Sequence, residues 1–380
     1  VSQITWGKYL NIMKLPEELS HLERFSGYAK RIKGTVWGFY IPQFIEGTNN
    51  INYDWLDFRT EVIGSSEIGT VLGNNKYGST LKVWHEKVFK EIPPQFNNAD
   101  TIYGRFAEPI IGKYWEHYDG VESWIDNIVN SVEVRKLRNI NCFAVNTKFP
   151  YLSASIDYMA HGNQESPFTG SNIPHPFPVE CKAIKKIVSD MYEAGLPPNY
   201  FDQIKEQCIV MEVDYGEIAY LVEREFKVQS VTITEDDVAE VLLKAKEFWD
   251  NVQLCRELYS LYDENEDADI RAEIMSRIYS NEPIAQGGEN EEKFLKDKWK
   301  NIEEESVIQG DLDTLKIRNE YIEVKDLETQ MRNKKSELKN KLLQALKDNQ
   351  RMNWEEYGEE GEVVFKRKDE HRAREYFAVK

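Results

Sequence analysis

Glu180 and Lys182 flank Cys181 in a segment, Pro178-Val-Glu-Cys-Lys182, that reads as a β-strand. Alternate side chains on a strand share a face, so the carboxylate and the ammonium point together while Cys181 enters the opposite layer. Asp157, 23 residues upstream of Glu180, closes the run Tyr151-Leu-Ser-Ala-Ser-Ile-Asp157, which reads as a second strand entering a turn. Two acids and an amine gathered this way suit metal-assisted cleavage of a phosphodiester. Carboxylates hold the cation, and the amine meets the negative charge that builds on the phosphoryl oxygens. The same residues also suit an ordinary ion pair on an edge strand.

The elements that must position them are legible around these strands. Ile63-Gly-Ser-Ser-Glu-Ile-Gly-Thr-Val-Leu-Gly73 reads as a short helix capped by Ser65 and Ser66 and ended by glycine. A second helix is expected over 80–89 and a third over 106–118, with Pro109 in the first turn and Glu108 near the start. Segments 131–137 and 141–145 read as strands, 161–178 as a Gly/Pro-rich loop, and Pro197-Pro198 as the entry to a helix over 200–211. On that helix Ile204, Cys208 and Met211 face the core, and Gln203 and Gln207 share a neighbouring stripe. Strands over 216–223 and 226–233 precede an amphipathic helix bearing Val238, Val241, Leu242, Ala245, Phe248 and Trp249. The order is mixed α/β rather than regularly alternating.

Composition shifts near residue 260 with the acidic run Asp263–Asp269, and Gly287-Gly288 reads as a linker. Residues 311–347 carry Val324, Leu327, Met331, Leu338, Leu342 and Ala345 at near-heptad spacing, which predicts a helical hairpin or short coiled coil. Residues 361–368 and 374–379 read as a terminal β-hairpin. The expected organisation is an N-terminal extension over 1–50, a core over 51–255, an acidic helical region over 256–350 and the hairpin within 351–380.

With 41% hydrophobic and 30% charged residues, the 380-residue chain is that of a globular protein able to bury a sizeable core. No apolar stretch approaches the roughly 18–20 residues of a membrane span, and the first residues lack a signal-peptide pattern, so a soluble intracellular location is expected. Cys142, Cys181, Cys208 and Cys255 form no CxxC pair, which points away from zinc and iron–sulfur sites and towards a reducing compartment. The net charge of −18 is spread over both halves. Broad electrostatic affinity for nucleic acid is therefore not expected, and binding would depend strongly on metal and salt.

Taken in order, several motifs resemble the YqaJ type of viral recombinase nuclease, the family of phage lambda exonuclease within the PD-(D/E)xK nucleases. Trp55-x3-Arg59 followed by Ile63-Gly-Ser-Ser66 is similar to the family's opening tryptophan, arginine and (T/G)xS helix start. Gly104-Arg-Phe-Ala-Glu108 is similar to its G-x3-E motif, Ser155-Ile-Asp157 to Ser-Pro-Asp, Glu180-Cys-Lys182 to E-x-K, and Tyr200-x2-Gln203 to the later glutamine. The likeness runs from about Trp55 to Trp249. Ile156 stands where proline is usual, Tyr158 where glycine is usual, and Ala183-Ile184 where Cys-Pro is common; each touches turn geometry, and none removes a functional side chain.

The resemblance implies an α/β fold with a PD-(D/E)xK restriction-endonuclease-like core, a mixed central sheet flanked by helices. It implies Mg²⁺ or Mn²⁺, two ions per site, on Asp157, Glu180, Glu108 and the Cys181 carbonyl; hard cations take oxygen ligands. Lys182 would orient the attacking water, remaining protonated beside carboxylates. Arg59, Ser66 and Ser155 would form a pocket for a terminal 5′ phosphate, with Gln203 lining the site. A helix start bearing hydroxyls beside an arginine is a reasonable anion cradle. The activity implied is 5′→3′ digestion of linear duplex DNA to leave a 3′ single strand for an annealing protein, in a homo-oligomer, in the cytoplasm of a virus- or phage-infected or prophage-bearing cell. Each residue also has an ordinary reading: Glu108 as a helix-start carboxylate, Arg59 as a surface cation, Ser66 as a cap, Gln203 as a solvated helix residue. An endonuclease or branched-structure nuclease on the same fold, and an inactive assembly protein, are the competing functions.

Overall fold

The computed structural model describes residues 14–46, 51–91, 99–119, 124–161, 176–300, 310–346, 351–353, 362–366 and 376–379. Most of the Gly/Pro-rich loop expected over 161–178, and parts of the terminal hairpin, lie outside them. Two compact units are present, residues 1–300 and 301–380.

In the first unit a 3-10 helix, Glu17–Tyr28, leads into β1 (Ala29–Lys33) and β2 (Val36–Phe39). There follow α1 (Tyr53–Thr60), β3 (Ile63–Gly64), α2 (Ser65–Val71), α3 (Thr80–Val88), α4 (Ala99–His117) and α5 (Trp124–Val129). Strands β4 (Lys136–Arg138), β5 (Phe143–Asn146), β6 (Phe149–Ser155), β7 (Tyr158–His161) and β8 (Pro178–Ile184) come next. The short α6 (Lys186–Ser189), α7 (Pro198–Met211), β9 (Tyr215–Val222), β10 (Glu225–Thr232), α8 (Glu235–Glu264), α9 (Ala268–Tyr279) and α10 (Glu289–Lys298) complete it. Two five-stranded mixed sheets result, with orders β1-β2-β5-β6-β3 and β10-β9-β8-β7-β4. The first contains one parallel pair, β3 with β6, and the second one parallel pair, β8 with β9. The N-terminal segment thus adds two strands to the first sheet, with Leu19, Leu22, Phe25 and Phe39 buried against Phe58 and Phe143.

The chain passes from one sheet to the other between β6 and β7, and Asp157 sits at that crossing. Helix α7 braces both sheets. Val210 and Met211 join the cluster containing Ala144, Leu152 and Ala154 of the first, while Ile204 and Cys208 pack with Ile218 and Tyr220 of the second. Two glycines admit α7 this closely: a Cβ on Gly69 of α2 would lie 2.6 Å from the Asn199 Cβ, and one on Gly216 of β9 would lie 2.8 Å from the Ile204 Cγ1. On the other side of the second sheet, α4 packs Ala107, Ile111 and Trp115 against Cys181 and Ala219.

Three expectations need correction. Helix α4 begins at Ala99 rather than 106, so Pro109 is interior and Glu108 lies mid-helix; burial of Ala107, Ile111 and Trp115 in one stripe outweighs the amide lost to proline. Residues 131–135 are not strand, β4 starting only at Lys136. Helix α2 is capped not by its serines but by Glu67, whose carboxylate accepts from the Gly64 N–H at 2.9 Å. Helix α8 runs unbroken through 255/256, where Arg256 donates to the Thr60 and Lys87 carbonyls at 2.6 and 2.8 Å and pairs with Glu61 at 2.7 Å.

The second unit contains α11 (Leu312–Leu346), one continuous helix rather than a hairpin, and β11 (Arg351–Asn353), β12 (Glu362–Lys366) and β13 (Tyr376–Val379). The β12–β13 hairpin gains β11 as a third antiparallel strand. Val324, Leu327, Met331 and Leu338 of α11 are exposed.

Candidate active site

Strand β8 delivers Glu180 and Lys182 to one face, as alternation requires, and the two form an ion pair. The Glu180 carboxylate is 2% exposed and would be costly to bury alone. Helix α7 supplies the compensation: Gln203 donates to Oε1 at 2.7 Å and Gln207 to Oε2 at 2.6 Å. These glutamines stand four residues apart, so both reach the strand from one helical face, and Tyr200 in the same stripe lies under the Lys182 ammonium at 5.1 Å from its ring centre. Burial opposes the charge on Lys182, but the neighbouring Glu180 and Asp157 carboxylates outweigh it and hold its pKa above the ordinary lysine value.

Asp157 reaches β8 from the crossing between the sheets, its Oδ2 accepting from the Cys181 N–H at 2.8 Å. Among the described residues β7 pairs with β8 only through Val179 and Pro178, and no described strand pairs with Cys181 on that edge. The amide and carbonyl of one strand residue face the same edge, so the Cys181 carbonyl is directed to the side Asp157 occupies. The Cys181 thiol is buried on the opposite face against α4, and burial, then Asp157, raise its pKa well above the usual thiol range. Glu108 approaches from α4. Burial and the Glu180 charge raise its pKa, Lys182 opposing. Asp157 is raised well above the carboxylate range by burial, then Glu180, against Lys182, with Glu108 adding to the rise. Three carboxylates thus share one ammonium around this edge of β8.

That imbalance tests whether a cation fits. With the three acids ionised the surplus is negative, and the donors are carboxylate and carbonyl oxygens, suited to a hard divalent ion. Among the described residues no three His, Cys, Asp or Glu side chains form a ready-made metal cage, Glu180 instead spending both oxygens on Lys182, Gln203 and Gln207. The fit therefore rests on charge and donor chemistry.

The residues expected to bind an anion lie along the end of the first sheet. β3 runs parallel to β6 with Gly64 opposite Ser153, so Ser66, just beyond β3, and Ser155, closing β6, leave the sheet at the same end. Both are exposed. The Ser155 carbonyl accepts from Gln207 at 3.2 Å, which ties this end to the Glu180 site. Arg59 is not bonded to the acids; it pairs with Glu67 at 3.1 Å and lies over Trp55, 5.2 Å from the ring centre. Sequence reasoning placed Gln207 on the right stripe without giving it a role, and gave none to Glu67. The four-residue spacing from Gln203 and the serine-to-glutamate pattern at the helix start were the available signals.

Residues 54–214 match the family model described as the YqaJ-like viral recombinase domain. Over 300 residues the chain is 20% identical to the uncharacterized protein YqaJ of Bacillus subtilis (strain 168), covering 78% of each. It is also similar to the crystal structure of LHK-Exo in complex with dAMP, at 13% identity and a TM-score of 0.43, and to that of the alkaline exonuclease LHK-Exo from Laribacter hongkongensis, at 14% and 0.42. In both, 56% of this chain and 98% of the other are covered.

Proposed function

Residues 54–214 being a YqaJ-like viral recombinase domain, we propose that the chain is a divalent-metal-dependent deoxyribonuclease with a PD-(D/E)xK site, digesting linear duplex DNA in the 5′→3′ direction. The product is a 3′ single strand suited to an annealing protein, and the working form is a homo-oligomer. One observation carries the reading: Glu180 pairs with Lys182 on β8 while Asp157, from the sheet crossing, accepts from the Cys181 N–H between them at 2.8 Å, with Glu108 of α4 near enough to be influenced by both Glu180 and Lys182.

Asp157, Glu180 and the Cys181 carbonyl would hold Mg²⁺ or Mn²⁺, and Glu108 would hold a second ion. When bound, such ions stabilise charge on the phosphoryl and departing oxygens and acidify a bound water. The side chains contribute the rest. Gln203 and Gln207 fix the Glu180 carboxylate, so its orientation is set before substrate arrives. Lys182 keeps its proton beside Glu180 and serves as a hydrogen-bond donor to the attacking water and as a positive charge opposite the phosphoryl oxygens. Arg59, Ser66 and Ser155 would receive the terminal 5′ phosphate, which sets the chain end in register with the acids.

The test is digestion of linear and covalently closed circular duplex with Mg²⁺ and with chelator. Mononucleotide release from linear duplex alone, abolished by chelator, is the expected result. Efficient nicking of closed circles would favour an endonuclease, and no activity with any divalent ion would favour an assembly protein.

A further inference from the structure

Resting on that terminal-phosphate reading, we infer that Glu67 is a positioning residue that fixes the Arg59 guanidinium for the 5′ phosphate. Glu67 lies in the first turn of α2 and is 8% exposed. Its Oε1 accepts from Arg59 Nη2 at 3.1 Å, and its Oε2 accepts from Lys87 Nζ at 2.7 Å and from the Gly64 N–H at 2.9 Å. Lys87 also donates to the Arg59 carbonyl at 2.6 Å. Arg59 is therefore held at both ends, its side chain by Glu67 and its backbone by Lys87, with the Trp55 ring one turn below.

An ion pair serving only the fold needs one cation for its carboxylate. Glu67 and Lys87 already make that pair in the interior, with the lysine side chain 2% exposed. Arg59 is a second cation on the same carboxylate, and its side chain is 31% exposed, so its guanidinium reaches the surface, with Glu86 lining the same pocket. One donor of that planar fork is spent on Glu67, which sets its plane and leaves the others for a phosphate. A free arginine would lose side-chain freedom on binding; a tethered one has lost it already. The Gly64 bond adds placement, since the same carboxylate fixes where α2 begins and hence where Ser66 stands.

The experiment compares steady-state cleavage of 5′-phosphorylated and 5′-hydroxyl blunt duplex by the wild type, Glu67→Gln, and the double variant Glu67→Gln/Lys87→Met. The double variant removes both members of the buried pair, so it keeps the interior neutral and guards against a folding failure of the single one. The expected result is a KM for phosphorylated ends raised about tenfold or more, the preference over hydroxyl ends collapsing towards one, as for loss of binding alignment rather than chemistry. Variants that keep the wild-type preference overturn the inference, as do variants that slow cleavage of both ends equally. A wild type indifferent to the phosphate overturns the terminal-phosphate reading and the tether with it.

Discussion

Two buried glutamates, Glu180 and Glu67, are each bonded to a lysine, yet the groups that complete the two sites differ in kind. Around Glu180 the acids are in surplus, Asp157 and Glu108 joining it against Lys182 alone. Around Glu67 two bases bond the carboxylate directly, Arg59 joining Lys87. Two further acids lie near Glu67: Glu86, which pairs with Lys82 at 3.6 Å, and the fully buried Glu206; burial, then repulsion from Glu67, raise the pKa of both. On the proposed reading the first cluster would accept a cation and the second an anion. A phosphodiester substrate needs both within reach, and α7 is the common support, bonded to Glu180 and to the Ser155 carbonyl and packed on α2.

The contrast predicts that substitutions should divide by cluster. Glu180→Gln keeps the volume and removes the charge, so the rate should fall by about 10³-fold, the equivalent of several kcal/mol of transition-state stabilisation. Initial rates at saturating Mg²⁺ and a thermal melt would show this with little change in stability; near-wild-type activity would remove Glu180 from the site. Glu67→Ala should instead act first on the fold. It leaves the Lys87 ammonium buried and unpaired, a loss of about 3–5 kcal/mol. Urea denaturation measures it, and a loss below about 1 kcal/mol would mean that water reaches Lys87 and that the cluster is not closed.

The acid cluster was the more legible in the sequence because its geometry is local. Strand alternation alone puts Glu180 and Lys182 together, and a strand ending at Asp157 brings the second acid to a turn. Glu108 was read near a helix start, since Pro109 imitates one and only packing of α4 on β8 shows that it lies mid-helix. The order of mixed α/β elements was readable from periodicity, whereas the division into two sheets was not, because nothing local marks Ser155–Asp157 as a crossing. The anion cluster was harder still. Glu67 stands beside two serines that satisfy the usual capping pattern, and its partner Lys87 arrives from another helix 20 residues on. The heptads of α11 were legible as a pattern, but a pattern does not name what covers it.

Gly69→Ala tests the support that joins the clusters. A methyl there would lie 2.6 Å from the Asn199 Cβ and 2.9 Å from its Cα, so α2 and α7 must separate. Backbone cannot yield as a side-chain tip can, and a cost of about 1–3 kcal/mol is expected. Helix α7 carries Gln203 and Gln207 and α2 carries Glu67 and Ser66. This one substitution should therefore lower both the Mg²⁺-dependent rate and the preference for phosphorylated ends, whereas changes within either cluster affect mainly one. Loss of stability with both kinetic properties intact would show that α7 does not link them.

The smallest effect concerns Glu206, which lies on α7 between the two clusters. It is fully buried, and neither carboxyl oxygen has a partner in good hydrogen-bonding geometry. Burial, then repulsion from Glu67, raise its pKa well above the ordinary 4.5, with the Ser153 N–H and Lys87 opposing. Between 4.5 and the raised value the folded protein keeps a proton that the unfolded chain has released. The folded state binds more protons, so stability falls as pH rises through that window. Glu206→Gln carries no such proton. Its stability relative to the wild type should grow with pH from the ordinary carboxylate range upwards, reaching about 1 kcal/mol or more at alkaline pH, while the other raised acids, common to both proteins, cancel in the difference. Urea denaturation of the pair across pH reads this directly. A difference that stays constant would mean that Glu206 is ionised in the fold, with Lys87 outweighing burial.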